Sequence, residues 1–337
     1  MNRAALSFLV GLVALATAPL RARGEARHPR EPVPQVHEVQ ATVNLLVANN
    51  ANAALADLAY TFTPAALNRN DRVVPPLRRF VRAPSALWAR ASRDGSTIES
   101  HTGLEGGGVL QLLGGRLYAA GQIGLDLDQV KYDPYEDGYV AAPFGVEVGG
   151  RPLPLWSLGA YYRGRPILTS TDGGRMVEAD RAGSEHEVGA TTSFATPTDR
   201  VLGTVWGGYY RADWTFAGFH EGDIRIRGEH AGFRLSFQTS STLSIQWRMN
   251  GRLEQWDNRR LGDDGVDFVG EETDRRVVTI DGDLGFTFWF EGRLGFAVAL
   301  GGGFQSEPPV LYRPPNGAVP KGDRGFGRLG MGVVSRF

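Results

Sequence analysis

The chain has 337 residues, with 36 Lys and Arg against 37 Asp and Glu and a formal net charge of −1, which excludes a nucleic-acid binder recruited by bulk positive charge. Glycine supplies 45 residues and cysteine none, a glycine share close to twice the usual value of about 7%. The lack of a Gly-X-Y period excludes collagen, and glycines set among aromatic and β-branched residues exclude low-complexity disorder. After the first 20 residues no apolar run approaches the roughly 18 residues of a membrane-spanning helix.

Residues 1–24 read as a signal peptide: Arg3 gives a positive start, Ala4 to Ala18 an apolar stretch, and Ala22, Gly24 and Ala26 the small residues of a cleavage region. An uncleaved anchor is the competing reading, and Pro19 in the short apolar span argues against it. In an exported chain the absence of Cys means that no disulfide framework supplies rigidity. Residues 25–84 read as a separate N-terminal segment. Within it, Pro29, Pro32 and Pro34 make a stiff linker, and Val36 to Thr63 fits either a hairpin turning at Asn49 to Asn52 or a helix over Asn44 to Leu58. The stretch 64–84, with four prolines and with Arg69, Arg72, Arg78, Arg79 and Arg82, reads as irregular: a solvated linker, or a basic segment folding into an acidic cavity.

From residue 85 the pattern changes to period two, the signature of half-buried strands. Leu243, Ile245, Trp247, Met249, Gly251 and Leu253 alternate with Ser244, Gln246, Arg248, Asn250, Arg252 and Glu254. Val278, Ile280, Leu284, Phe286, Phe288 and Phe290 oppose Asp281, Asp283 and Thr287, and Leu202, Trp206, Tyr210 and Trp214 oppose Tyr209, Arg211 and Asp213. Twelve such segments begin near residues 86, 97, 116, 139, 153, 186, 200, 226, 242, 275, 293 and 326. Working back from the C-terminus, the stretches 308–325, 258–274 and 172–185 read as long or acidic loops, while 291–292, 239–242, 197–199, 149–152 and 114–115 read as tight turns. A soluble sandwich has no reason to alternate loop length with chain direction; a membrane-spanning barrel does. These features predict an all-β, antiparallel up-and-down barrel over 85–337 with about twelve strands. If Val36 to Thr63 enters the wall the count becomes fourteen.

The last strand, Gly327, Leu329, Met331, Val333, Ser335 and finally Phe337, resembles the closing strand of Gram-negative outer-membrane β-barrel proteins. That resemblance implies an outer-membrane location with the N-terminus and the 25–84 segment in the periplasm, and contact with outer-membrane lipid and lipopolysaccharide. It also implies recognition of Phe337 by the barrel-assembly machinery. Aromatic girdles fit the same picture, with Trp156, Trp289, Phe290 and Phe337 near the periplasmic ends and Tyr162, Tyr210, Trp214 and Trp256 near the outer ends.

Strand parity points Glu99, His101, Glu105, Asp126, Asp128, Glu147, Arg163, Arg165, Arg211, Asp213, Arg234, Arg248, Arg252, Glu254, Asp281, Asp283 and Arg328 inward. Two readings of this charged interior stand side by side: paired charges filling a narrow lumen, and a polar pore that attracts small polar or anionic solutes, sugar acids included. None of the histidines has a Ser two residues later, the pattern of outer-membrane phospholipase-like sites, and none has metal-ligand spacing. Gly325 to Gly330 matches a dinucleotide fingerprint in form only, because no helix can begin there. The acids of 257–274 read as a solvated loop, with cation binding as the sharper alternative. No catalytic site, metal or cofactor is expected. The sequence therefore points to a non-enzymatic barrel, either a narrow channel or a structural and surface-interaction protein. The alternative is a lipid-modifying or proteolytic outer-membrane enzyme.

Overall fold

The structure is a computed structural model that describes residues 36–48, 51–63, 86–95, 99–113, 116–132, 135–153, 155–172, 179–196, 200–218, 222–240, 242–261, 268–290, 294–306 and 324–336. Val33–Phe337 forms one compact unit. The strands are β1 (Val36–Ala48), β2 (Ala51–Thr63), β3 (Ala86–Gly95), β4 (Glu99–Leu112), β5 (Leu117–Tyr132), β6 (Tyr135–Ala141), β7 (Phe144–Leu153) and β8 (Trp156–Asp172). They continue as β9 (Ala179–Ala195), β10 (Val201–Gly218), β11 (Gly222–Gln238), β12 (Leu243–Leu261), β13 (Phe268–Phe290), β14 (Leu294–Gln305) and β15 (Arg324–Arg336).

All fifteen lie in one antiparallel sheet, and the ladder closes on itself. The first strand pairs with the last, Glu38 opposite Arg336 and Ala48 opposite Phe326, and β4 pairs with β5. Closure leaves no edge strand exposed to further pairing. β6 and β7 share a single place between β5 and β8, so the ring has fourteen places. The strand between them is interrupted at Ala142 and Pro143, where Pro143 and, across the ladder on β8, Pro166 have no N–H to contribute. The gap is stitched by the Ala142 N–H donating to the Pro166 carbonyl (3.0 Å) and the Gly124 N–H donating to the Pro143 carbonyl (2.7 Å).

The all-β barrel expected from the alternation is what forms, with the fourteen-strand count rather than twelve. Val36 to Thr63 is the added hairpin, so the wall begins at Val36 and not at residue 85, and no helix spans Asn44 to Leu58. The sequence of this segment suits either state; the pairing partners offered by β15 and β3 decide it. The stretches read as long loops are partly wall. Residues 258–261 and 268–274 extend β12 and β13, with register shifts after Trp256 and after Arg260, and residues 179–185 belong to β9. The signal peptide, the linker at 28–35, the Arg/Pro-rich stretch 64–84 and Phe337 lie outside the described residues.

Alternation sorts the side chains. Leu104, Leu125, Val148, Trp247, Phe288 and Leu300 are exposed on the outer face. On β12 the outward apolar series runs from Leu243 to Leu253 and ends at Gln255 and Asp257. Ten residue steps at about 3.3 Å, tilted by about 40°, give a band about 25 Å tall, the height of the lipid-facing band of a barrel. Beyond it the outer face turns charged: Arg211 Nε donates to Asp213 Oδ2 (2.6 Å), and Arg227 lies 3.7 Å from Asp257. The sheet therefore extends past the apolar band on the side away from the tight turns.

Candidate functional site

Inside the barrel the end nearest the tight turns is packed. The Tyr118 hydroxyl donates to Glu147 Oε1 (2.7 Å), as does the Thr191 hydroxyl (2.9 Å), and Ser193 and Thr204 bond to each other at 3.0 Å. Glu147 is among the most buried side chains of the described residues, and its Oε1 takes both of these hydrogen bonds in place of water. This packing needs a glycine on the neighbouring strand: a Cβ at Gly159 would run into the Tyr118 hydroxyl and stand 2.8 Å from Glu147 Oε1 and 2.9 Å from Thr191 Oγ1. Close side-chain packing is thus one reason why this wall carries so much glycine.

Further along, the charges form three clusters. Arg165 donates through Nε to Asp126 Oδ2 (3.0 Å), through Nη1 to Glu185 Oε1 (3.2 Å) and through Nη2 to Asp128 Oδ2. Arg163 pairs with Glu187 (3.3 Å), which also faces His230 Nε2 at 3.1 Å; the Tyr161 hydroxyl meets the same nitrogen at 3.2 Å. Arg248 pairs with Asp283 (2.5 Å) and lies 4.0 Å from Asp281, with Arg328 3.9 Å from Asp283. Facing positions on adjacent strands set these pairs: Arg163 is opposite Glu187, Arg165 opposite Glu185, and Arg248 opposite Asp283.

Between the clusters lies a cavity of about 440 Å³, within the size range of small-molecule sites. Its lining includes the predicted Arg163, Arg252, Glu254 and Asp281, together with Trp206, Tyr210, Trp214, Trp256, His230 and Asn250. Asn250 Nδ2 donates to Asp281 Oδ1 (3.0 Å), and Trp256 Nε1 donates to Glu254 Oε2 (3.1 Å). Arg252 lies over the Tyr210 ring, 5.8 Å from its centroid, and 3.8 Å from Glu254. Its side chain is 55% exposed, against 18% to 27% for Arg163, Arg165, Arg248 and Arg328, so it is the arginine of this set with free reach into the cavity.

Glu105 and Arg234 also lie on inward positions of β4 and β11; the side chains of Glu99 and His101 on β4 lie outside the described residues. Two predicted lumen residues are not in the lumen. Arg211 and Asp213 face outward, and the aromatics opposite them in the alternation, Trp206, Tyr210 and Trp214, face in. The parity argument placed the apolar face toward lipid, yet β10 from Arg211 onward stands beyond the apolar band, where the outer surface is wet and the inner surface holds an apolar cluster of Ala212, Ile224, Ile226, Trp256 and Val277; Trp206 is level with Asn250, within the band, and faces in all the same. For the same reason Tyr210, Trp214 and Trp256 are lumen residues rather than an outer girdle. Trp289 also turns inward, its Nε1 donating to Ser244 Oγ at 3.3 Å. Trp156, Tyr162 and Phe290 keep the outer face.

One arrangement escaped the sequence search, which looked for Ser after His. On the outer face the Ser184 hydroxyl stands 2.8 Å from His186 Nε2, and His186 Nδ1 stands 2.7 Å from the Tyr162 hydroxyl. Here Ser precedes His by two residues and the third group comes from the neighbouring strand, which spacing alone cannot reveal. Gly183, just before Ser184, has φ 137°, where a Cβ would strike the Asp213 carbonyl.

No family model matches the chain, and no curated protein sequence matches it. Among solved structures the chain is similar to an outer membrane channel from Pseudomonas putida F1, with 13% identity, a TM-score of 0.46, and coverage of 94% of this chain and 100% of that one. It is also similar to the CymD monoaromatic hydrocarbon channel (8% identity, TM-score 0.47, 91% and 89% covered). A third similar structure is OmpT, an outer membrane protein of Vibrio cholerae, in its trimer form (9% identity, TM-score 0.40, 91% and 100% covered).

Proposed function

We propose that this protein is a non-enzymatic Gram-negative outer-membrane channel that passes small polar solutes, anions among them, through its lumen. The observation that carries the reading is a closed wall, apolar outside over about 25 Å, that surrounds a cavity lined by Arg163, Arg252, Glu187, Glu254 and Asp281. Charged groups are costly inside a sheet unless they pair or meet water; here most pair, and Arg252 retains exposure for a solute. In this reading the tight-turn end and the N-terminus face the periplasm, residues 1–24 are removed, and the outward Arg211, Arg225 and Arg227 meet lipopolysaccharide. The assembly machinery reads Phe337. Purified barrel in a planar bilayer should give discrete conductance steps whose anion selectivity falls in Arg252→Gln. A folded but electrically silent barrel would sink the channel and leave a structural, surface-interaction role.

A second reading, a lipid-modifying or proteolytic enzyme, is favoured by Ser184, His186 and Tyr162. A hydroxyl within hydrogen-bond reach of an imidazole that a third group orients is the arrangement of an activated nucleophile. It sits on the outer face near the end of the apolar band. Labelling by a fluorophosphonate probe, lost in Ser184→Ala, together with release of fatty acid or peptide, would establish it; an unlabelled folded barrel would dismiss it.

A further inference from the structure

A lumen built only to pass ions has no use for rings, and this cavity is walled by four: Trp206, Tyr210 and Trp214 along β10 and Trp256 on β12. Inward residues four apart on one strand are about 13 Å apart along it, so the β10 rings form a row rather than a patch. Tyr210 and Trp214 are partly exposed and offer apolar, polarisable surface of a kind that stacks on flat or chair-shaped rings, while Trp206 and Trp256 are buried. Beside the row stands one well-exposed cation, Arg252, whose guanidinium already lies over the Tyr210 ring. The other cations at the cavity are less accessible: Arg163 is 19% exposed and pairs with Glu187 through Nη1, its Nε and Nη2 buried without a hydrogen-bond partner, and His230 faces Glu187 and Tyr161. The remaining polar groups, Asn250 with Asp281 and Glu254 with Trp256, supply fixed donors and acceptors at the rim of the same space.

We propose that the cavity is a binding station for a monocyclic carboxylate: the ring stacks against the exposed parts of Tyr210 and Trp214, and the carboxylate takes the N–H edge of Arg252. A guanidinium matches a carboxylate with two parallel N–H donors, which a sodium-like or simple electrostatic site does not need. Without Arg252 the lining carries Arg163 against Glu187, Glu254 and Asp281, an acidic set, so selection for an anion has to come from this one arginine, acting against the lining as a whole. The inference deepens the channel reading by naming the solute class, and it rests on the same cavity.

The test is equilibrium binding to the full chain folded in detergent micelles, which does not require conduction. Titration calorimetry with benzoate, glucuronate, acetate, toluene and glucose separates the components of the solute. At least one of the two ring carboxylates should bind about 10-fold or more tightly than acetate, which lacks the ring, and than toluene and glucose, which lack the charge; which of the two binds tells an aromatic from a sugar acid. Arg252→Gln should weaken that binding by about 10-fold to 100-fold, the loss expected for a charge-assisted hydrogen bond, and Arg252→Lys should recover part of it. Because Arg252 is exposed and its Glu254 contact is long, both variants should keep the heat-shifted gel mobility of a folded barrel. Toluene or acetate binding as tightly as the ring carboxylates, an Arg252→Gln variant that binds like the parent, or no binding by a folded parent would each overturn the proposal. Ring-carboxylate binding by a barrel that carries no current would overturn transport and leave the site standing.

Discussion

Replacing Arg165 by Met removes a guanidinium that faces Asp126, Asp128 and Glu185 while keeping much of the side chain's apolar stem. Each pair is worth about 4 kcal/mol of attraction at about 4 Å with an effective dielectric near 20, and the desolvation of the arginine offsets a large part of the gross sum. What remains after the change is three carboxylates, each 14% to 20% exposed, facing one another. Breaking one buried pair costs about 3–5 kcal/mol because an unmatched charge is left behind, and three acids put this case at the upper end, about 4–5 kcal/mol. Urea unfolding of the barrel in lipid vesicles, followed by the fluorescence of its seven tryptophans, measures it. The loss should shrink as the pH falls and the acids are neutralised. Combining Arg165→Met with Asp126→Asn, Asp128→Asn and Glu185→Gln should recover stability to within about 1–2 kcal/mol of the parent, since a neutral set of the same shape replaces a paired one. A single variant within about 1 kcal/mol of the parent, or a neutralised variant no better than the single one, would refute the view that this cluster is held by charge pairing.

Four further outcomes are expected. Gly159→Ala should destabilise by about 1–3 kcal/mol, because its Cβ meets Tyr118, Glu147 and Thr191, whereas Gly327→Ala, with nothing within 4 Å, should stay within about 0.5 kcal/mol by the same unfolding assay. The chain has no cysteine, so single probes report cleanly: a membrane-impermeant maleimide should label Arg227→Cys in intact cells and Ser240→Cys only after the outer membrane is permeabilised, and the reverse pattern would invert the orientation. Unboiled protein should run differently from boiled protein on a denaturing gel, and deleting Phe337 should lower its yield in the outer membrane.

Much of the wall was legible because lipid imposes a strict rule: within the apolar band of β12, β13 and β14 every second residue is apolar or glycine, and Arg248, Asp281 and Asp283 fell inside as the alternation required. The rule fails where its cause is absent. Beyond the apolar band β10 has water outside and an apolar cluster inside, so Arg211 and Trp214 exchange the faces that hydrophobicity assigns them. The hairpin of Val36 to Thr63 was ambiguous for another reason: its residues suit helix and strand alike, and only the neighbours that accept it fix the outcome. The cavity's aromatic lining was hidden by the same inversion at Tyr210, Trp214 and Trp256. The Ser184, His186 and Tyr162 contact depends on a cross-strand register that a linear scan does not contain.

The pairing of β1 with β15 sets a clock on the making of this protein. Residue 38 finds its partner only when residue 336 exists, so closure is among the most non-local contacts a chain of this length can have, and such contacts fold slowly. Until then every growing or exported chain is an open ribbon with two sticky edges, and it depends on being held apart from its copies. By the same logic a permuted gene that joins the native ends and opens the ribbon at the tight turn near Ser240 would keep all fourteen places and move only the seam, separating the order of synthesis from the geometry of the finished ring.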